Sequence, residues 1–245
     1  MEKLKDFVSK FAPYLEDIRK RLYILAIVFA LFFVVGFFSA SSILRGIISL
    51  FNIGDVVIAT TSPFQFADLS INIGLFTAFF VTCPLGIYNI FMFLRPALTK
   101  REKGLFFSLV PVTFILFVLG FSYGFAIMYY ALVILAQINV NIGIQNIWDI
   151  GMFLSQIVLT STLLGVLFQF PIVFTFIIRS GLVEVQFLRE KRRIAVLIIF
   201  IFTSLLPPTD GLSLVAMALP LVLLYEVTIL INSRFGKQKL EKLLV

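Results

Sequence analysis

The sequence predicts an all-α integral membrane protein with six transmembrane helices, and three observations support this fold class. Hydrophobic residues make up 60% of the 245-residue chain, charged residues make up 13%, and the mean hydropathy is +1.08. Soluble domains carry about 25% charged residues. Apolar segments alternate with polar loops along the whole chain, and the basic residues gather in every second loop. We therefore expect one polytopic membrane domain over residues 1–245.

The predicted spans cover approximately residues 22–44, 69–94, 104–135, 150–178, 194–206 and 212–231. A helix needs about 20 apolar residues to cross a core of about 30 Å. The fifth segment has only about 13 residues, or roughly 20 Å of helix. We expect either a buried hairpin arm or a locally thinned bilayer around it.

The segments between the spans are predicted to be mostly irregular. The helical spacing of Leu4, Phe7, Val8 and Phe11 predicts a short interfacial helix that ends at Pro13. Residues 45–67 predict short interfacial pieces, residues 137–149 a polar loop, and residues 232–245 a polar, basic tail. The sequence shows no internal repeat, which argues against an inverted-repeat transporter.

The distribution of Lys and Arg predicts the orientation of the chain. Of 20 basic residues, 6 precede the first span, 4 lie in the loop 95–103, 5 in residues 179–193 and 4 in the tail. Only Arg45 lies in the opposite loops. The positive-inside rule places the basic loops and both termini in the cytoplasm, so the net charge of +7 does not indicate nucleic-acid binding.

The composition argues against catalysis. The chain has no His, and its one cysteine, Cys83, lies inside an apolar segment. This excludes histidine bases, an intrachain disulfide and a cysteine metal site. We find no Gly-rich phosphate loop and no nucleophile–base pair, and we expect no enzymatic activity, no cofactor and no metal.

Two carboxylates, Asp17 and Glu102, stand among cations in the basic loops. One alternative is that each forms a solvated ion pair with neighbouring Lys or Arg, worth about 0–1 kcal/mol. The other is that both accept a guanidinium group from a binding partner, because a carboxylate binds Arg through two parallel hydrogen bonds that Lys cannot reproduce.

Two polar residues lie inside predicted spans. Gln169 precedes Pro171, where the fourth span is expected to bend. It either makes a hydrogen bond between helices or contacts a polar ligand or partner helix. Glu226 is the only acid well inside a span, which makes it a functional candidate. Alternatively, it lies near the helix end, where Lys or Arg from the tail neutralises it.

Four motifs, in order along the chain, resemble the TatC family. Residues 14–22, Y-L-E-D-I-R-K-R-L, are similar to the family motif H-L-x-E-L-R-x-R-L, and residues 95–102 keep the spacing P-A-L-x-x-x-E. Residues 62–64, S-P-F, resemble the family's S-P motif before the second span. Residues 207–210, P-P-T-D, and residues 224–226, L-Y-E, resemble its last hairpin. The resemblance covers essentially the whole chain.

The resemblance implies a curved, glove-like set of six helices with short fifth and sixth spans. It implies the signal-peptide receptor and core of the twin-arginine translocase, which moves folded proteins across the membrane using the proton-motive force. The implied partners are twin-arginine signal peptides and single-span proteins of the TatA and TatB type. By motif position, the implied signal-binding residues are Glu102, Asp17, Arg19, Phe93, Pro96 and Leu98, and the implied partner contacts in the membrane are Gln169, Glu226 and Asp210.

The chain departs from the family pattern at three positions. Tyr14 replaces the usual His, and Asp17 replaces Glu. Gln169 stands where many members carry Glu, and since an amide cannot ionise, a proton relay at this position is in doubt. Two other function classes stay open: a secondary transporter with Glu226 as the proton-coupled carboxylate, and a passive membrane scaffold.

Overall fold

The computed structural model describes residues 2–51, 56–94, 100–179, 181 and 183–241, with the side chains of residues 16–51, 56–90, 92, 111–179, 181 and 183–233. Its elements in chain order are α1 Glu2–Phe38, α2 Ala40–Leu50, β1 Val56–Ala59, α3 Gln65–Leu94, α4 Lys100–Asn141, β2 Asn146–Asp149, α5 Ile150–Leu167, α6 Phe170–Arg179, α7 Val185–Glu190, α8 Arg192–Ser204 and α9 Gly211–Glu241.

Five helical stretches of the described residues are long and apolar enough to cross a bilayer. They are Glu16–Phe38, Gln65–Ile90, Pro111–Asn141, Ile150–Arg179 and Gly211–Ser233. The fifth predicted span corresponds to α8, whose 13 residues reach only about 20 Å. The sixth predicted span was also expected to be short, but it lies in α9, where Gly211–Ser233 is long enough to cross. The structure thus confirms a mostly helical membrane protein and confirms that the fifth segment is short.

Small residues allow α1 and α3 to pack closely in antiparallel orientation. A Cβ atom at Gly36 of α1 would lie 2.6 Å from Cβ of Thr77, and one at Gly74 would lie 2.9 Å from the carbonyl oxygen of Phe33. Both positions therefore need glycine, as small residues do at close helix crossings in membranes.

The crossing of α4 and α5 follows the same rule. Gly120 and Gly124 stand four residues apart on one face of α4, in a G-x-x-x-G pattern. A Cβ atom at Gly124 would lie 2.7 Å from Cα of Ser161, and one at Gly120 would lie 2.6 Å from Cγ of Phe168. The two helices are also antiparallel, because Gly124 faces Ser161 whereas Gly120, which comes earlier in α4, faces Phe168, which comes later in the chain.

The predicted bend in the fourth span is confirmed as a break between α5 and α6 at Phe168 and Gln169. Pro171 lies one residue into α6 and has no N–H to donate to the preceding turn. The residue before a proline is also disfavoured in the helical region. The backbone N–H of Gln169 instead bonds the carbonyl oxygen of Val166 at 3.0 Å, a tighter turn than the α-helical pattern.

A two-stranded parallel sheet corrects the prediction of an all-α fold. Strands β1 and β2 pair in the register Val56 with Asn146 through Ala59 with Asp149. The sheet joins two loops that were expected to be irregular. The sheet could not be predicted because four residues are too few for an alternation of apolar and polar residues to indicate a strand, and because the paired strand lies about 90 residues away in the sequence.

Several predicted boundaries were also wrong. Helix α1 continues through Pro13, because the neighbouring Lys, Ala, Leu and Glu are strong helix formers and a proline removes only one backbone donor. The first span ends at Phe38, and the separate helix α2 covers part of the predicted loop. Helix α4 extends to Asn141, α7 lies within residues 179–193, and α9 extends into the predicted tail.

The two ends of the molecule differ. At the end that we call the basic end, α1 and α4 begin and α3, α6 and α9 end. At the other, the sheet end, a buried cluster packs beneath β1 and β2 around Phe51. The ring of Phe51 makes edge contacts with Phe125, Tyr129 and Phe153 at centroid distances of 4.8, 5.6 and 5.4 Å.

Candidate functional site at the basic end

The packing of α1 on α3 brings Asp17 to the start of the basic loop. Gly36 lies against Thr77, and Leu25 lies 3.7 Å from a Cβ built at Gly86, so the two helices run past each other almost residue for residue. Asp17 precedes Leu25 by eight residues, and Leu94 follows Gly86 by eight. At 1.5 Å per residue in both helices, Asp17 lies level with the last residue of α3.

Asp17 already has a partner within its own helix. Nε of Arg21 donates to Oδ2 of Asp17 at 2.8 Å, and the Asp17 side chain is 45% exposed. The second carboxylate oxygen has no partner among the described residues. One turn of α1 therefore combines an ion pair with an acceptor oxygen that no described residue occupies. Arg19 is exposed beside it.

The remaining signal-binding candidates flank the loop between α3 and α4. Phe93 lies in the last turn of α3 and Glu102 in the first turn of α4, but their side chains lie outside the described part of the chain. Pro96 and Leu98 lie outside the described residues altogether. Residues 95–99 can span at most about 20 Å, so the backbones of Glu102 and Asp17 belong to the same end of the molecule.

Gln169 lies deep inside the molecule, where the helix breaks. Its side chain is 2% exposed, and Nε2 donates to the carbonyl oxygen of Thr113 at 3.0 Å. Its Oε1 is buried and has no partner in the described structure. Thr113 follows Glu102 by eleven residues on α4, which is about 16 Å along the axis. Gln169 is therefore separate from the candidate signal site.

Glu226 is paired across helices at the basic end. Nη2 of Arg192, at the start of α8, lies 3.0 Å from Oε2 of Glu226, and both side chains are partly exposed, at 48% and 39%. The neighbouring Tyr225 hydroxyl donates to the carbonyl oxygen of Leu188 in α7 at 2.7 Å. Among the described side chains the cation beside Glu226 is Arg192, because the fold brings α8 alongside α9, and the side chains of the tail cations lie outside the described part of the chain.

Asp210 caps the other end of α9. Its Oδ2 accepts from the backbone N–H of Ser213 at 2.8 Å, whereas Oδ1 is buried and has no partner in the described structure. Asp210 and Glu226 are separated by 16 residues, or about 24 Å of helix. The three residues expected to contact partners in the membrane therefore occupy three separate places.

Sequence analysis missed the role of Asp149, which ties the sheet end together. Its Oδ2 accepts from the Thr61 hydroxyl at 2.6 Å and from Nε2 of Gln65 at 2.7 Å, and its Oδ1 accepts from the N–H of Met152 at 2.9 Å. The Thr61 and Gln65 hydrogen bonds, with the Met152 N–H, lower the pKa of this carboxyl to about 2. An acid just before an apolar helix signals an N-cap, but no sequence pattern reveals the distant partners Thr61, just before α3, and Gln65, at its start.

The sequence matches the family model described as TatC, Sec-independent protein translocase protein, over residues 13–220. This range includes the first three of the four motifs and most of the last hairpin. The chain belongs to the TatC family. Because the chain belongs to this translocase family and contains several long apolar helices, it is a multi-pass membrane protein.

Individual TatC proteins are similar in sequence to this chain over nearly its whole length. The chain is 27% identical over 236 residues to TatCy of Bacillus subtilis, with 95% of this chain and 92% of that protein covered. It is 29% identical over 239 residues to TatC of Desulforapulum autotrophicum, covering 94% and 87%. The solved structure of the twin arginine translocase receptor TatC in DDM superposes with a TM-score of 0.78 at 27% identity, covering 89% of this chain and 99% of that one.

Proposed function

We propose that this protein is the signal-peptide receptor and core component of a twin-arginine translocase. It binds twin-arginine signal peptides at the basic end. With TatA- and TatB-type single-span partners it forms a multimeric complex that transports folded proteins, driven by the proton-motive force. The proposal includes a location in the cytoplasmic membrane with both termini in the cytoplasm, as the distribution of basic residues favours.

The observation that carries this proposal is the position of Asp17. The antiparallel packing of α1 and α3 places this carboxylate level with the last residue of α3, where the loop leading to Glu102 begins. The Asp17 carboxylate and the backbone of Glu102, from distant parts of the sequence, thus belong to one end of the molecule. Paired arginines are a chemical match for two such acids.

Recognition of arginine follows from the geometry of guanidinium. Each guanidinium presents parallel N–H groups that match the two oxygens of a carboxylate. At Asp17, Oδ1 has no partner among the described residues, and Oδ2, which accepts from Arg21, has a second lone pair, so both oxygens can accept from an incoming guanidinium. Because lysine carries a single rounded ammonium group, two bidentate contacts discriminate against it. The surrounding cations repel any basic peptide that does not form these two contacts.

A partner helix in the membrane can form hydrogen bonds only with polar atoms of this chain that have no partner within it. Gln169 offers a buried Oε1, and Asp210 offers a buried Oδ1, neither with a partner among the described residues. Both atoms are buried, so a polar side chain of a single-span helix reaches them only when the neighbouring helices separate, and the new hydrogen bond then recovers the about 1–3 kcal/mol that an unpaired acceptor costs. This supports docking near α6 and at the turn before α9.

The geometry of Glu226 weighs against a proton-coupled transporter. A carboxylate that binds and releases a proton within the bilayer is expected to face the bundle interior or a water-filled cavity. Glu226 instead forms a partly exposed ion pair with Arg192 at the basic end. The scaffold alternative offers no reason for acids at the basic end to prefer Arg over Lys.

The test is co-reconstitution with TatA- and TatB-type partners in sealed vesicles that contain a fluorescent precursor protein. We expect uptake that needs both the twin arginines and an imposed proton-motive force, and that falls when Asp17→Asn and Glu102→Gln are combined. Flux of small solutes by this chain alone, with no precursor uptake, would support the transporter instead.

A further inference from the structure

A polar cavity at the sheet end is not used by the proposed signal site. It has a volume of about 410 Å³ and lies between the first turns of α3 and α5. The residues that line it are Gln65, Asp68, Leu69, Asn72, Asp149, Gly151, Met152, Ser155 and Gln156. It reaches from the helix starts to Asn72 and Gln156, about 10 Å along the helices.

Most of the polar lining has no partner among the described residues. The side chains of Asp68, Asn72, Ser155 and Gln156 make no hydrogen bond or ion pair with any described residue. Other hydroxyls on the same helices behave differently, since Ser70 bonds its own helix through the carbonyl oxygen of Phe66 at 2.8 Å. The cavity therefore presents acceptors that no described residue occupies, of which Asp68 and Gln156 are exposed and Asn72 and Ser155 are half-buried.

The charge of the lining is one-sided. Two of the nine lining residues are carboxylates and none is basic. Asp149 stays ionised at every physiological pH, because its three donors hold its pKa at about 2. A negative cavity with uncommitted oxygens matches a cationic group that can donate several hydrogen bonds.

We propose that this cavity binds the lysine or arginine side chain of a polypeptide at the side of the membrane opposite to the basic end. The inference rests on the proposed function, because the transported polypeptide is the source of such a side chain. The guanidinium or ammonium group lies between Asp68 and Asp149, and Asn72, Ser155 and Gln156 accept its remaining N–H groups. The aliphatic stem packs on Leu69 and Met152.

A metal ion fits the cavity less well than an organic cation. Calcium takes about six to eight oxygen ligands and magnesium about six, and both bind carboxylate oxygens directly. Both oxygens of Asp149 already accept hydrogen bonds, and the described residues contain no group of three acids, cysteines or histidines that could hold a metal. A phospholipid ammonium also fits less well, because the adjoining phosphate would face two carboxylates and no lining cation.

The test is equilibrium binding of a dansyl-Gly-Arg-Gly-amide peptide to the full chain in nanodiscs of phosphatidylglycerol and phosphatidylcholine. The control peptide carries citrulline, which has the shape of arginine without its charge. The protein carries Asp17→Asn and Glu102→Gln in every arm, so the site at the basic end does not contribute. We expect the arginine peptide to bind about tenfold more tightly than the citrulline peptide, as one charge-assisted contact allows.

Two variants of the cavity and one control locate the binding site. We expect Asp68→Asn and Gln156→Leu to reduce the preference for arginine, whereas Gln137→Leu, an exposed amide on α4 outside the cavity, leaves it unchanged. Equal binding of both peptides, or a preference that survives both cavity variants, refutes the proposal. Displacement of the peptide by phosphatidylethanolamine or by calcium would assign the cavity to a lipid or a metal and also refutes it.

The outcome is separable from that of the proposed function. Twin-arginine signal binding is measured beside it on the chain with Asp17 and Glu102 intact. Signal binding without an effect at the cavity refutes only the present inference, whereas loss of signal binding refutes the proposed function.

Discussion

The crossing of α4 and α5 gives the sharpest test of the fold, through Gly124→Ala. The added Cβ would lie 2.7 Å from Cα of Ser161 and 3.1 Å from Cδ1 of Leu164. Carbon atoms in contact prefer about 3.5–4.0 Å, so the helices must separate by roughly 1 Å. The Cα atom belongs to the backbone and cannot rotate away. Over-packing of this kind costs about 1–3 kcal/mol.

The matched control is Gly46→Ala. Gly46 also lies in the interior of a helix, α2, but a Cβ atom there has no neighbour within 4 Å. Alanine stabilises a helix interior by about 0.5–1 kcal/mol over glycine, and this gain applies at both positions. The difference between the two variants therefore isolates the packing cost at Gly124.

The assay is thermal unfolding in detergent, followed by the fluorescence of Trp148, the only tryptophan of the chain. Its ring packs on Phe153 of α5 at a centroid distance of 5.9 Å. With about 2–4 °C per kcal/mol for a chain of this size, we expect Gly124→Ala to melt about 2–12 °C below Gly46→Ala. Equal melting temperatures would refute the close crossing.

Three further predictions concern single side chains. Because the pKa of Asp149 is lowered to about 2, the stabilisation by its charged form is complete above about pH 4 and is lost as the pH falls toward 2. We expect Trp148 emission to be constant from about pH 5 to 8 and to shift below about pH 4, with Asp149→Asn showing the shifted emission at neutral pH. Glu226→Gln should lower the unfolding free energy by only about 0–1 kcal/mol and leave precursor uptake intact, whereas abolished uptake would favour a proton-coupled role. Gln169→Leu should change the unfolding free energy by less than about 1 kcal/mol, because it removes an unpaired acceptor together with one hydrogen bond. The same variant should reduce the amount of single-span partner that co-purifies with the chain. Undiminished co-purification would contradict the docking proposal.

The sequence carried enough information to predict the membrane class and most of the long helices. Hydropathy depends on the local segment alone, so the five long spans could be predicted from the sequence. The break before Pro171 could be predicted because proline lacks a backbone donor. The six-span topology and its orientation remain predictions. The continuity of α1 through Pro13 was missed because local breaker signals were given more weight than the helix formers around them.

Features that depend on distant pairing could not be predicted. Strands β1 and β2 have four residues each and are held by each other, far apart in the sequence. The ion pair of Glu226 with Arg192 could not be predicted, because it follows from the packing of α8 on α9. At the candidate site, the pattern of acids among cations identified Asp17 and Glu102, but only the α1–α3 packing shows that Asp17 reaches the end of α3.

The central claim is tested most directly by the preference of the purified protein for a twin-arginine over a twin-lysine signal peptide in detergent. We predict that the wild-type chain prefers arginine and that Asp17→Asn and Glu102→Gln each reduce this preference. The control is Glu16→Gln, since Glu16 is a neighbouring exposed acid, 3.1 Å from Lys20, and lies outside the proposed site. If both peptides bind alike, or if Glu16→Gln reduces the preference as much as Asp17→Asn does, the carboxylates act as ordinary surface charges and the receptor account is contradicted.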